Sequence, residues 1–194
     1  MSLQPYLAPG TYVDADHPAV VEMARVLARD ASDEHALVRR CFEFVRDEVK
    51  HSWDYQLNPV TLKASEVLLH RTGFCYAKSH LLAALLRANG VPAGLCYQRL
   101  SVGERGAPYC LHGLNAVFLK DHGWYRLDAR GNKPGVAADF TPPREALAFA
   151  IREAAERDLP EIWAEPLPVV IASLQAGATV QDVAANLPDV VLSG

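Results

Sequence analysis

Nowhere in the 194 residues is there an uninterrupted apolar run of the roughly 18 residues that a membrane-spanning helix needs. The first twenty residues, MSLQPYLAPGTYVDADHPAV, lack a positive stretch leading into an apolar core and lack an arginine-rich amphipathic pattern, so neither export nor organelle import is expected. Positive charge is not in excess either. The 19 Lys and Arg stand against 23 Asp and Glu, a formal net charge of -4 and a pI near 6.0. That balance gives no basic field to draw the chain to nucleic acid or to anionic lipid. No CxxC pair occurs among Cys41, Cys75, Cys96 and Cys110, so a structural zinc site lacks its usual spacing. No cluster of carboxylates resembles a calcium loop. Internal repeats and low-complexity tracts are also missing. These absences predict a cytoplasmic chain with free thiols, no cofactor, no metal, no nucleic-acid partner and no membrane partner, and they leave the oligomeric state open.

What is present is the composition of an ordinary globular protein, 50% hydrophobic and 22% charged, long enough for one domain over residues 1–194 with a sizeable core. Asp16, followed by His17 and Pro18, reads as the cap of a first helix in which Val20, Met23, Ala24, Leu27 and Ala28 recur at helical spacing. Ser32 reads as the start of a second, with Leu37, Cys41, Phe44, Val45 and Val49 on one stripe. Together they predict N-terminal helices over about 16–50. The segment from His51 to Asn58-Pro59 is expected as loop. A short helix is expected over Ala64–His70, ending at Gly73. Ala77, Leu81, Leu82, Ala84, Leu85 and Leu86 then make a nearly all-round apolar helix stopped by Asn89-Gly90, the pattern of a central, buried element.

Past Val91-Pro92 the pattern changes to short β-branched and aromatic runs over 93–100, 113–120 and 124–129, the last two joined by a hairpin at Asp121-His122-Gly123. After Pro142-Pro143, Glu145 to Arg157 is expected as a helix. Val169 to Gln175 and a short stretch capped by Thr179 complete a helical tail over 141–190. The sum is an α+β fold, a central helix packed on an antiparallel sheet with helices at both ends.

One residue on that central helix invites chemistry. Cys75 stands at its first turn, where free backbone N–H groups and the positive end of the helix dipole favour a negatively charged sulfur. A nucleophilic cysteine also needs a base, and the base an orienting group. His112 at the start of one hairpin strand and Asp128 at the end of its partner fall nearly opposite each other by register, bringing an imidazole beside a carboxylate. Cys41 and Cys96 lie among apolar neighbours and read as core. Cys110 lies two residues from the proposed base without a helix terminus, and Cys110, His112, His80 and His122 form no metal-binding spacing. Lys78, Ser79, His80, Gln98 and Arg99 either line the cleft or satisfy buried contacts. Arg130, Asn132 and Lys133 either bind a substrate carboxylate or sit in an exposed turn.

The motifs Gly73-Phe74-Cys75, Leu85 to Ala93 (LLRANGVPA), His112 to Val117 (HGLNAV) and Trp124 to Asp128 (WYRLD), in that order, resemble the transglutaminase-like superfamily, in particular its bacterial stand-alone core proteins. The resemblance covers about 45–132. It implies a Cys75, His112, Asp128 triad that performs acyl transfer on amide or peptide carbonyls through a thioester. The oxyanion would be held by the Cys75 N–H and a second donor from upstream. Trp53, Tyr55 and Gln56 are the candidates for that donor, with Gln98 a further cleft candidate. Where the family commonly has an aromatic shortly after the histidine, this chain has Gly113 and Leu114. The expected partner is a peptide or other amide-bearing substrate, with hydrolysis expected ahead of protein-glutamine transamidation or deamidation. A non-catalytic, peptide-binding member of the same fold is the alternative of another class.

Overall fold

The structure, a computed structural model, describes residues 2–190. Its first helix, α1 (Pro18–Ala28), is capped by His17 rather than Asp16, the His17 ring accepting from the Ala19 N–H. The second, α2 (Glu34–Glu43), is capped by Asp33 rather than Ser32, whose hydroxyl instead bonds the Asp33 carboxylate. A π-helical turn, Phe44–Glu48, continues α2. The expected loop then contains a two-residue strand, β1 (Lys50–His51), and one helical turn, α3 (Ser52–Tyr55). Helix α4 (Ala64–His70) has the expected bounds. Its terminator, however, is Arg71 in the left-handed region (φ 53°) and not Gly73. Gly73 lies in β2 (Thr72–Gly73), parallel to β1, where an added Cβ would meet Thr61 and Ala77 at 3.1 and 3.2 Å.

Helix α5 (Cys75–Ala88) is buried on every side from Cys75 to Arg87, as its lack of a polar face requires. Helices α1, α2 and α4 pack on one side of it, and β3 (Ala93–Ser101) and β4 (Tyr109–Leu119) on the other. With Leu81, Leu82, Leu85 and Leu86 all at 0% exposure, each contributes about 1.5–3 kcal/mol of burial. Its few polar side chains are tied to backbone carbonyls. The Arg87 guanidinium donates to Ala8, Ala93 and Ala164. His80 pairs with the Leu62 carbonyl and Ser79 with that of Tyr76, while Lys78 donates to Arg46 and Val49. From the sheet side, Asn115 donates to the carbonyls of Ser79 and Gly94, fastening α5 to the hairpin.

Strands β3, β4 and β5 (Gly123–Leu127) form an antiparallel meander, closed at its far edge by β8 (Arg157–Asp158) in the order β5-β4-β3-β8. Strand β4 begins at Tyr109, four residues before the expected start, so Cys110 and His112 are strand residues.

The helix expected over 145–157 does not form. Strands β6 (Asp139–Thr141) and β7 (Arg144–Ala146) make a small hairpin around Pro142-Pro143, followed by irregular chain. Alanine and glutamate favour a helix by propensity, but here tertiary bonds claim them. Glu145 pairs with Arg126 at 2.7 Å, and the buried Glu156 carboxylate accepts from the Ser101 and Arg152 N–H groups. Glu153 gathers Ser101, Gly106 and Tyr109. The tail is thus helical only in α6 (Pro168–Ala176) and α7 (Val180–Ala185), the latter capped by Thr179 in a capping box with Asp182. No helix among the described residues is long and apolar enough to cross a membrane. The architecture is α+β, with an antiparallel sheet against a central helix.

Candidate functional site

The first residue of α5 points its thiol at the middle of β4. Phe74 caps the helix in an extended conformation, leaving Cys75 at the first helical position, where backbone N–H groups have no partner within the helix. Gly113 permits the close approach of β4. A Cβ there would stand 3.0–3.2 Å from Tyr76, backbone included. Without one, the Gly113 N–H comes to 3.5 Å from the Cys75 Sγ. A bulkier residue would hold the strand away.

His112 and Asp128 meet beside that thiol. The register Asn115↔Leu127 continues to place Asp128, just past β5, diagonal to His112 by two residues rather than opposite it, and on the same face. The His112 Nε2 and the Asp128 Oδ2 are 2.7 Å apart, with side-chain exposures of 6% and 0%. Asp128 also accepts from the N–H groups of Arg130 and Ala148 at 3.1 and 3.2 Å. Burial opposes its charge, but the facing imidazole and these donors hold its carboxyl below the usual range. Burial likewise opposes charge on His112, yet Asp128 and then Cys75 outweigh it and push the imidazole up to about 10. With Nε2 engaged by Asp128, Nδ1 is the nitrogen left for the sulfur. The Phe149 ring stands edge-on to the imidazole, 4.9 Å between centroids, and restricts its rotation.

The thiol, the imidazole and the Phe149 ring line a cleft of about 610 Å³, with Asp128 buried behind them. One part of its wall is apolar, with Leu100, Val102, Leu111 and Leu187. Another is polar, with His51, Arg130 and Lys133. The C-terminal segment is a real wall of this cleft. Helix α7 is held to α3 by Gln181 donating to Gln56, and its first N–H donates to Asn58. Further on, Pro188 accepts from the Leu111 N–H at 2.7 Å, and Asp189 takes a bidentate bond from Arg99.

Of the proposed upstream donors, only Trp53 lines the cleft, at 44% exposure. Tyr55 faces a neighbouring cavity under Lys50. Gln56 spends its amide N–H on the Trp53 carbonyl. Gln98 lies behind the site, donating to Phe149 and Asp158. Lys78, Ser79 and His80 stay in the packed interior and do not reach the cleft wall.

Sequence reasoning missed His51, Phe149 and Arg152. His51 is buried at 7% and pairs with Gly73 two residues before Cys75, but a two-residue strand carries no periodicity. Burial, and after it the Arg130 charge, keeps its imidazole neutral. Arg130, left open by the sequence, proves structural as well as cleft-lining. Its guanidinium forms a fork with Asp54 at 2.6 and 3.0 Å. Burial opposes the Asp54 charge, but this fork and Lys133 hold its carboxyl at about 2.

The remaining cysteines are in different settings. Burial pushes Cys41, Cys96 and Cys110 each up to about 12, and of these only Cys110 shares the cleft.

Comparison with known proteins bears on the whole arrangement. Residues 21–129 match the family described as the transglutaminase-like superfamily. Among solved structures, a candidate cysteine protease from Cytophaga hutchinsonii aligns with a TM-score of 0.54 at 20% identity, over 66% of this chain and 42% of that one. The periplasmic domain of TgpA from Pseudomonas aeruginosa aligns with a TM-score of 0.48 at 21% identity, over 66% and 48%. The chain thus spans less than half the length of these structures, and at such identities the first likeness speaks to fold alone. No curated protein sequence matches the chain. The family match takes in the thiol, the imidazole and the carboxylate, and extends over more than half of the sequence. By that match the chain belongs to the transglutaminase-like superfamily.

Proposed function

We propose that the protein is a cysteine-dependent acyl-transfer enzyme that hydrolyses amide or peptide bonds, with Cys75 as nucleophile, His112 as general acid and base, and Asp128 as the group that fixes the imidazole. The observation that carries this reading is the 2.7 Å pairing of a buried imidazole with a buried carboxylate beside a thiol at a helix start. A packing role needs none of the three. An imidazolium held by Asp128 is the counter-charge that a thiolate requires.

In this reading the Cys75 thiolate attacks the substrate carbonyl carbon, forming a C–S bond and placing the electron pair on oxygen. The Cys75 backbone N–H stabilises that oxyanion, and the Trp53 indole N–H is the second donor, being the one upstream candidate that lines the cleft. The His112 imidazolium gives its proton to the departing nitrogen as the C–N bond breaks, leaving a thioester and neutral His112. Water then attacks the thioester while His112 takes its proton, releasing a carboxylic acid and restoring the ion pair. Water is the proposed acceptor because a cleft of about 610 Å³ suits a short peptide segment better than two protein chains.

The test is trapping of the thioester. Brief exposure to p-nitrophenyl acetate followed by acid quench should add one acetyl group to Cys75, read by peptide mass, and hydroxylamine should remove it. Acetylation that survives Cys75→Ala at the same rate, or that never reaches Cys75, would end the reading.

A further inference from the structure

The cleft shares His51 and Lys133 with a second cavity of about 410 Å³, whose wall also carries Arg46, Lys50, Asp47 and Asp54. The acyl-transfer steps make no use of it. Its charges do not balance. Arg46 is taken up by Asp47 at 2.7 Å and by Asp139 at 3.3 Å. That leaves Asp54 as the one remaining carboxylate, and it is divided between Arg130 and Lys133, both at 2.6 Å. Lys50 forms no ion pair among the described residues, its ammonium resting 5.1 Å over the Tyr55 ring. Beneath this wall the Lys78 amine is bonded to the carbonyls of Arg46 and Val49.

A second feature points the same way. His51 lines both cavities, and its buried Nδ1 has no hydrogen-bond partner in the wall. The nearest carboxylate, Asp54, is 3.7 Å away, beyond hydrogen-bond reach. The region beside the thiol therefore combines a surplus cation, Lys50, and a carboxylate shared by two others with an unfilled polar atom, the reverse of a self-satisfied ion-pair network.

We propose that this second cavity is a carboxylate subsite, so that the substrate of Cys75 carries an acidic side chain or a terminal carboxylate close to its reacting carbonyl, bound by Lys50 and Lys133 with Arg130 behind them. The apolar wall of Leu100, Val102, Leu111 and Leu187 takes the rest of the substrate. This assignment rests on Cys75 being the nucleophile and adds the charge of the molecule it acts on.

Iodoacetate and iodoacetamide share a reacting carbon and a leaving group and differ in one carboxylate, so they read the charge of the subsite at Cys75. Rates are followed by peptide mass and expressed as the ratio of iodoacetate to iodoacetamide, normalised to the same ratio for glutathione. The wild-type ratio should be about fivefold or more above glutathione at low ionic strength and should shrink toward one near 0.5 M salt. His112, itself cationic, contributes to that preference, so the lysines are read by substitution. Lys50→Gln with Lys133→Gln should lower the ratio about threefold. Lys50→Gln alone, at an exposed and unpaired side chain, should lower it in the same direction, and it keeps the test independent of any loss of stability in the double variant. Ratios equal in wild type and both variants would assign the whole preference to His112 and overturn the subsite. A Cys75 that iodoacetamide labels no faster than Cys110 is a different failure, which ends the nucleophile reading and the subsite with it.

Discussion

Four thiols in one chain, in settings that differ so sharply, allow alkylation to test the site against its own internal controls. With Cys41, Cys96 and Cys110 pushed up to about 12 by burial, about one in 10⁵ of each is thiolate at pH 7, against about one in thirty for an unperturbed thiol. A more basic thiolate is also the stronger nucleophile, which returns part of that factor and leaves a deficit of about 100-fold. Cys41 and Cys96, at 0% and 3% exposure, are shielded sterically as well. Cys110 is the stringent control, because it lines the same cleft as Cys75 and meets the same reagent. Cys75 alone has an imidazolium, a facing Gly113 N–H and a helix start beside its sulfur. At pH 7 under reducing conditions, limiting iodoacetamide should therefore modify Cys75 at least about 100-fold faster than Cys110, measured by time-resolved peptide mass. His112→Ala removes the counter-charge and should slow Cys75 by about 10-fold or more while leaving Cys110 unchanged. Cys110 reacting within tenfold of Cys75, or a Cys75 rate indifferent to His112→Ala, would refute the reasoning.

Three further outcomes are expected. Asp128→Asn keeps an oxygen for the Arg130 N–H but removes the charge that holds His112 cationic, so Cys75 labelling at pH 7 should fall about 10- to 100-fold with the far-ultraviolet circular dichroism unchanged. Gly113→Ala puts a methyl group 3.0–3.2 Å from Tyr76 and should cost about 1–3 kcal/mol in urea unfolding, with slower acylation of Cys75. Burial, with Arg130 adding to it, brings the Lys78 ammonium down to about 7 from 10.5. The native state therefore releases that proton near pH 7 while the unfolded chain keeps it until about 10.5, and wild-type stability should rise with pH in that window. Relative to Lys78→Met the gain should be about 1.4 kcal/mol per pH unit between pH 7 and 9, and parallel pH curves for the two proteins would contradict it.

The elements that could be read from the sequence are those whose signals are local. Helix α5 follows from an apolar run with a turn before it and Asn89-Gly90 after it, and α4 has the bounds that its spacing gives. The β4-β5 hairpin follows from alternation around Asp121-His122-Gly123. The segment 144–158 shows the opposite case. Its Ala146, Ala148, Ala150, Ala154 and Ala155 favour a helix by propensity, but its backbone and carboxylates have stronger partners far away in sequence. Ala148 donates to Asp128, and Glu153 and Glu156 satisfy the chain between Ser101 and Tyr109. Only knowing what lies across the sheet would reveal those partners, and propensity alone is a weak guide against them.

The same division runs through the site, and it separates chemistry from selectivity. Cys75, His112 and Asp128 could be picked out because a helix start places the first and a strand register the other two, both by short-range rules. The cleft walls obey no such rule. His51 arrives on a two-residue strand, Phe149 through a segment that abandons its helical propensity, and Leu187 through a tail latched to β3 and β4 by Asp189 and Pro188. Arg130 joins the two groups. It lies two residues beyond Asp128, so the turn that carries the carboxylate to His112 also carries the guanidinium to Asp54. Any change in that turn would move the Asp128 carboxylate and the cationic wall together. The charge beside the thiol is for this reason tied to the same few residues that hold the His112 imidazole, and a substrate carboxylate bound there, as proposed, would be positioned by the turn that also positions His112.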